Sequence, residues 1–283
     1  MSSDLSRRTL TASILAGAAT LGTSGPAATA APRPSGADAG TDSQQRHPAP
    51  TVVLIHGAFA DASSWKGVVD RLQTQGHRVL APALPLRGLS SDAAYIRSVL
   101  QSITGPVILV GHSYGGSVIT QAAAELPQVK ALVYIAAFVP EVGESALELT
   151  GKFPGSTLAQ ATSAQTYPLP DGGQAEELVI KQDLFRNQFA AGVPVATAQV
   201  MASTQRPIAL SALQEPAKAA AWKTIPSWYL VATGDRNIPP AAEQWMARRA
   251  LARTFSVRAP HAVAVSDPGT VANLILRAAR SVR

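Results

Sequence analysis

Val107-Ile108-Leu109-Val110-Gly111-His112-Ser113-Tyr114-Gly115-Gly116 is the stretch that decides the fold. Its first four residues are continuously apolar, as expected of a strand buried on both faces, and such strands belong to parallel sheets sandwiched between helices. The strand runs directly into Gly-His-Ser-Tyr-Gly, which fits G-x-S-x-G, a serine on a tight strand-to-helix turn. About one chain in eight of this composition would carry that pattern by chance. Its weight therefore comes from its setting, with the apolar strand before it and a helix over Ser117 to Leu126 after it. Backbone atoms crowd where a strand flips into a helix. Gly111 and Gly115 are thus positions without room for a Cβ, and Ser113 is pushed into a strained conformation with its hydroxyl presented outward. The helix amides and dipole point toward it.

The same rhythm extends to both sides. Thr51 to Ile55 is a β-branched run ending at His56-Gly57, and Ser63 to Gln75 places Trp65, Val68, Val69 and Leu72 at helical spacing. Gly76 stops that helix, His77 to Ala81 reads as a second strand, and Pro82 to Leu89 is a Pro/Gly-rich loop. A helix carrying Ala94, Ile96, Val99 and Ile103 leads to Gly105-Pro106 and the central strand. Val129 to Val139, Trp228 to Thr233 and Thr254 to Val257 read as further strands, and Val271 to Ala279 as a closing helix. Alternating strands and helices give the α/β class. Pro140 to Pro226 breaks the rhythm, because it far exceeds the about 2 to 6 residues of an ordinary αβ loop. With helix-like pieces at Glu176 to Phe189 and Val195 to Ala202, it reads as an inserted cap.

The 283 residues are 46% hydrophobic and 15% charged, which excludes a disordered chain. Zero cysteines exclude a disulfide scaffold, a thiol nucleophile, Cys-ligated zinc and iron–sulfur clusters, so the chemistry must run on oxygen or nitrogen nucleophiles. The net charge of +6 includes no basic run longer than an Arg pair. It reads as solubility, with no nucleic-acid partner. Arg7-Arg8, the small-apolar stretch Thr11 to Gly22 and Ala28-Thr29-Ala30 follow the order charged, apolar, cleavable. They predict a twin-arginine-type signal peptide over residues 1–30 and a secreted protein, extracellular or periplasmic. The apolar segment is shorter than the about 20 residues that span a bilayer, so no stable membrane anchor is expected. Residues 31–50, rich in Pro, Gly, Ser, Asp and Gln, predict a disordered tether. The folded domain is then 51–283, with its cap at about 140–226.

A serine hydroxyl is a poor nucleophile at neutral pH, so Ser113 needs an imidazole base and a carboxylate to orient that base. Of five histidines, only His261 follows Ser113. Asp171, Asp183 and Asp235 lie between them, and only Asp235 directly follows a buried-looking strand, Leu230 to Thr233. The candidate triad is therefore Ser113, Asp235 and His261. Acyl transfer also requires donors for the tetrahedral oxyanion. The backbone amide of Tyr114 is one candidate, and that of Ala58, in the loop after the first strand, is the other. His56 reads as a structural histidine bonded within that loop.

On these residues the chain resembles the α/β-hydrolase superfamily from Thr51 almost to Arg283. The motifs are His56-Gly57-Ala58-Phe59, the elbow Gly111 to Gly116, Gly234-Asp235-Arg236-Asn237-Ile238-Pro239-Pro240 and Pro260-His261-Ala262-Val263. The compact loop His56 to Trp65 and the segment Ala81 to Gly88 resemble the branch containing small esterases, plant methylesterases and hydroxynitrile lyases. The resemblance implies a mainly parallel eight-stranded sheet flanked by helices, with a helical cap inserted between the sixth and seventh strands. It also implies a first oxyanion donor directly after His-Gly, here Ala58. Ala83 stands where many relatives carry Asp, and Ala58 where the hydroxynitrile lyases carry threonine.

The expected activity is that of a serine carboxylesterase or lactonase acting on a small ester or lactone, with no cofactor and no metal. A hydroxynitrile-lyase-type reaction is the alternative enzyme and requires a cation, for which the cap offers Lys152, Lys181, Lys218 and Lys223. A non-catalytic ligand-binding protein on the same scaffold is the other alternative. The cap should roof the cleft above Ser113, with Phe59, Tyr114, Phe138, Leu184, Phe185, Phe189 and Met201 as candidate pocket residues.

Overall fold

The computed structural model describes residues 49–282. The expected signal peptide (1–30) and all but the last two residues of the expected tether (31–50) lie outside the described residues. In chain order the strands are β1 (Thr51–Ile55), β2 (Val79–Leu80), β3 (Val107–Ser113), β4 (Val129–Ala137), β5 (Thr162–Pro168), β6 (Gln174–Ile180), β7 (Ile208–Ala209), β8 (Ser227–Ala232) and β9 (Arg253–Val257). The main sheet has the order β2-β1-β3-β4-β8-β9, and every pair in it is parallel.

Side-chain alternation assigns the two faces of this sheet. Val53, Ile55, Leu109, Leu132 and Tyr134 point to one side and pack on Ile96, Leu100, Val118, Ile119 and Met246. Those partners come from the helices Leu89–Gln101, Tyr114–Ala122 and Pro240–Arg249. Val52, Leu54, Ile108, Val110, Val133 and Ile135 point to the other side. There they meet Val68 and Leu72 of Lys66–Thr74 and Val271 and Ile275 of Pro268–Arg280. Each fully buried Val, Leu or Ile side chain contributes about 1.5–3 kcal/mol, which is why β3, buried at all seven positions, reads as an unbroken apolar run.

Four expectations change. The sheet holds six strands among the described residues, not the eight implied by resemblance, so the insertion follows its fourth strand. The cap, residues 140–226, is not purely helical, since β5, β6 and β7 form a three-stranded antiparallel sheet within it. The helix-like reading of Glu176 to Phe189 gives way to β6 followed by a helix over Gln182–Gln188. Val179 and Ile180 favour a strand, and Asp171-Gly172-Gly173 supplies the turn that folds β6 back on β5. The expected strand His77 to Ala81 shortens to β2, an edge strand that stops before Pro82, whose nitrogen cannot donate to the ladder.

Where β3 meets β4 the register shifts between His112 and Ser113, and Ala136 adopts φ +42°. Ala137 thereby stands opposite Ser113. The Tyr229 hydroxyl, from β8, accepts from Ala137 N–H at 3.0 Å and donates to Ala137 O at 2.5 Å. Burial pushes the Tyr229 phenol well above its usual range, so it keeps its proton. Tyr229→Phe leaves both Ala137 groups short of a partner and should lower stability by about 1–3 kcal/mol. Urea unfolding with unchanged m measures this, and an unchanged midpoint contradicts it.

Candidate active site

Ser113 ends β3, and Tyr114 opens the next helix with no intervening loop. Ser113 has φ +53° and ψ −124°, a conformation that costs of order 1–3 kcal/mol in a residue with a Cβ. The turn closes so tightly that a Cβ on Gly111 would lie 2.6 Å from Gly115 O, and one on Gly115 would lie 2.6 Å from Ile55 O. The glycines expected to lack room for a side chain do lack it. Tyr114 sits at the first position of the helix, where backbone amides have no partner within the helix. The Ala58 amide, in the loop after β1, donates to no acceptor among the described residues.

Asp235 follows β8 and His261 follows β9, so neighbouring parallel strands deliver both to the same edge of the sheet as Ser113. Asp235 Oδ2 accepts from His261 Nδ1 at 2.5 Å. A carboxylate only accepts, so Nδ1 carries the proton and, in the neutral ring, Nε2 keeps its lone pair. Asp235 Oδ1 accepts from the amides of Asn237 (2.6 Å) and Ile238 (3.0 Å). These bonds fix the carboxylate. His261 Nε2 is buried and makes no hydrogen bond to Ser113 or any other described group.

Four buried polar residues around this set carry no local sequence signal. His112 Nε2–H donates to the His261 carbonyl at 2.9 Å, and the two rings lie 4.7 Å apart. Burial and the neighbouring His261 hold the His112 pKa well below the usual value, so it is a neutral strut under the His261 loop. Glu243 is wholly buried and accepts from Ala232 N–H at 3.1 Å. Burial, reinforced by the Asp235 charge, pushes its carboxyl well above the usual range. This favours its neutral form beside Asp235. Tyr114 donates its hydroxyl proton to Asp92 Oδ2 at 3.0 Å, anchoring the residue after Ser113 to the helix Leu89–Gln101. Gln188, from the cap, is the fourth. His56 is structural as expected, with Nδ1–H donating to Gly57 O at 2.8 Å and Nε2 accepting from Leu84 N–H at 2.8 Å.

A cavity of about 450 Å³ opens over the serine, lined by Ala58, Phe59, Ser113, Tyr114 and Phe138 of the sheet side and by cap residues such as Leu147, Phe153 and Leu178. No charged side chain lines it. Of the candidate pocket residues, Phe59, Tyr114 and Phe138 are there; Leu184, Phe185, Phe189 and Met201 are not. Phe185 and Phe189 are core residues, and Phe189 sets its ring edge against His261 at 5.0 Å. The four cap lysines also stand elsewhere. Lys152 lies over Trp245, Lys181 donates to Gln160 O, and Lys218 and Lys223 pair with Glu215 and Glu141. No helix of the described residues is long and apolar enough to cross a membrane.

Burial pushes the Asp92 carboxyl up from 3.8 to about 6. A carboxyl whose folded pKa is raised contributes stability that is full below about pH 4 and is lost as pH rises through 6. Asp92→Asn removes that dependence. Urea unfolding at pH 4, 5, 6 and 7 should show the variant gaining stability relative to wild type across this window; a constant difference contradicts the assignment.

Comparisons with known proteins agree with this architecture. A carbendazim hydrolyzing esterase of Nocardioides sp. (strain SG-4G) is 42% identical over 113 residues, 35% of this chain and 47% of that protein. The alpha/beta hydrolase nvfD of Aspergillus novofumigatus is 27% identical over 253 residues, 81% of this chain and 96% of that protein. Methylesterase 2 of Arabidopsis thaliana is 25% identical, over 69% of this chain and 81% of that protein. The crystal structure of polyneuridine aldehyde esterase shares the fold, with a TM-score of 0.71 at 20% identity over 81% of this chain and 98% of that one. Residues 52–274 match the alpha/beta hydrolase family. With six parallel strands and a serine elbow at the end of the third, this chain belongs to that family.

Proposed function

We propose that the protein is a serine hydrolase that cleaves neutral, apolar carboxylic esters or lactones through an acyl-enzyme on Ser113. The observation that carries this reading is the buried Asp235–His261 bond, delivered to the same sheet edge as a strained serine at the mouth of an apolar cavity. Esterases among the relatives support it.

In this mechanism His261 Nε2 takes the Ser113 Oγ proton as Oγ bonds to the substrate carbonyl carbon. The carbonyl electrons move onto oxygen, and the Ala58 and Tyr114 amides hold that oxyanion, each such donor contributing about 2.7–4 kcal/mol to catalysis. The tetrahedral species collapses, the alcohol leaves with the proton from His261, and Ser113 is acylated. Water then gives a proton to His261 as it attacks the acyl carbonyl, and collapse of this second tetrahedral species breaks the bond to Ser113 Oγ, which takes the proton back from His261 as the acid leaves. Asp235 keeps the imidazole in the required tautomer and orientation throughout. No cofactor enters any step.

The uncharged lining gives a carboxylate-bearing acyl group no counter-ion, and burying an unpaired charge is costly. It likewise offers no cation to a leaving anion, which disfavours the lyase reading. p-Nitrophenyl esters from acetate to octanoate, a p-nitrophenyl hemisuccinate and a lactone panel test the proposal. Neutral esters should be hydrolysed well ahead of the hemisuccinate, and Ser113→Ala should lose about 10⁴-fold or more in kcat. Equal turnover by wild type and Ser113→Ala overturns the reading.

A further inference from the structure

Gln188 is the last residue of the cap helix Gln182–Gln188 and is only 6% exposed. Its Nε2 donates to Arg236 O at 2.8 Å and to Asn237 Oδ1 at 2.8 Å, while its Oε1 accepts from the Thr157 hydroxyl at 2.8 Å. Both donors of the amide are thus committed to the two residues that follow Asp235. The second of them, Asn237, also holds the carboxylate. The Asn237 and Ile238 amides hold Oδ1, which leaves Oδ2 for His261. The adjacent cap residue, Phe189, grips the other partner: its carbonyl accepts from Ala262 N–H at 2.9 Å and its ring edge faces His261.

We propose that Gln188 is a positioning residue for the reaction, acting through Arg236 and Asn237 to fix the Asp235 carboxylate in the orientation His261 requires. The inference rests on the serine-hydrolase reading and adds that the cap aligns the acid and base as well as roofing the cavity. Loss of the two Nε2 bonds frees the loop after Asp235 to shift, and displacements near 1 Å in a catalytic group can cost about 100-fold in rate. Gln188 itself does not line the substrate cavity; it reaches it only through Asn237, which with Ile238 forms part of the lining.

The test uses the full chain, with active sites counted by titration with a fluorophosphonate and turnover read on a neutral p-nitrophenyl ester. Gln188→Ala should lower kcat about 10- to 100-fold per titrated site, a larger effect than any change in KM. Thr157→Val, which removes only the Oε1 partner, should keep kcat near wild type. Gln188→Glu is isosteric and decides the matter if the alanine variant does not fold. As a carboxylate the new side chain cannot donate, and as a carboxylic acid it donates once, so the kcat deficit against wild type should shrink as pH falls. Wild-type kcat per titrated site in both Gln188 variants, or a Gln188→Glu deficit independent of pH, overturns the positioning role. If wild-type hydrolysis itself does not depend on Ser113, the hydrolase reading fails instead.

Discussion

The constraint on which this molecule turns is steric. A strand buried on both faces passes into a helix without a loop, and the residue at the junction must take a positive φ. Only a backbone stripped of Cβ atoms at Gly111 and Gly115 permits that approach, and only a well-packed sheet compensates the strain at Ser113. The geometry has a chemical consequence. It lifts one hydroxyl out of the sheet edge while the first amides of the helix face the same space. The Asp92–Tyr114 bond and the Tyr229 bonds to Ala137 brace the two sides of this junction.

Around the junction the protein spends much of its buried polar inventory. Asp92, His112, Gln188, Asp235, Glu243 and His261 are all buried, and each finds at least one hydrogen-bond partner. Buried carboxyls with raised pKa values are unfavourable for stability as pH rises, so they are poor choices for a scaffold alone. Here one, Asp92, is bonded to Tyr114, the residue after Ser113, and the other, Glu243, lies beside Asp235. The cap shares in this arrangement, since it bonds to the loops after β1 (Phe59 N–H to Arg206 O), β2 (Ala209 N–H to Leu86 O), β8 and β9. An insertion tied down at every one of these loops is a fixed wall of the cavity.

The sequence makes some of this legible and hides the rest for physical reasons. β1, β3, β4 and β8 are readable because burial on both faces demands unbroken apolar runs, and the elbow because Gly, Ser and Gly fall at the end of one. Asp235 and His261 are readable from strand ends and chain order, and the structure joins them at 2.5 Å. The cap hairpin is harder. β5 is Thr-Ser-Ala-Gln-Thr-Tyr-Pro and largely exposed, so no apolar alternation marks it, although Asp171-Gly172-Gly173 is a turn signal that points to a hairpin. Gln188, Glu243 and Asp92 are ordinary helix residues locally; what singles them out are partners 49, 11 and 22 positions away, which no local pattern encodes.

Intact-mass spectrometry after exposure to a fluorophosphonate tests the central claim most directly. A nucleophilic serine displaces fluoride and leaves one covalent phosphonyl group, which fragmentation then locates. The account predicts a single adduct, on Ser113, formed rapidly by wild type, slowly by His261→Ala and not at all by Ser113→Ala. A folded wild-type protein that forms no adduct, or forms it at another residue, contradicts it.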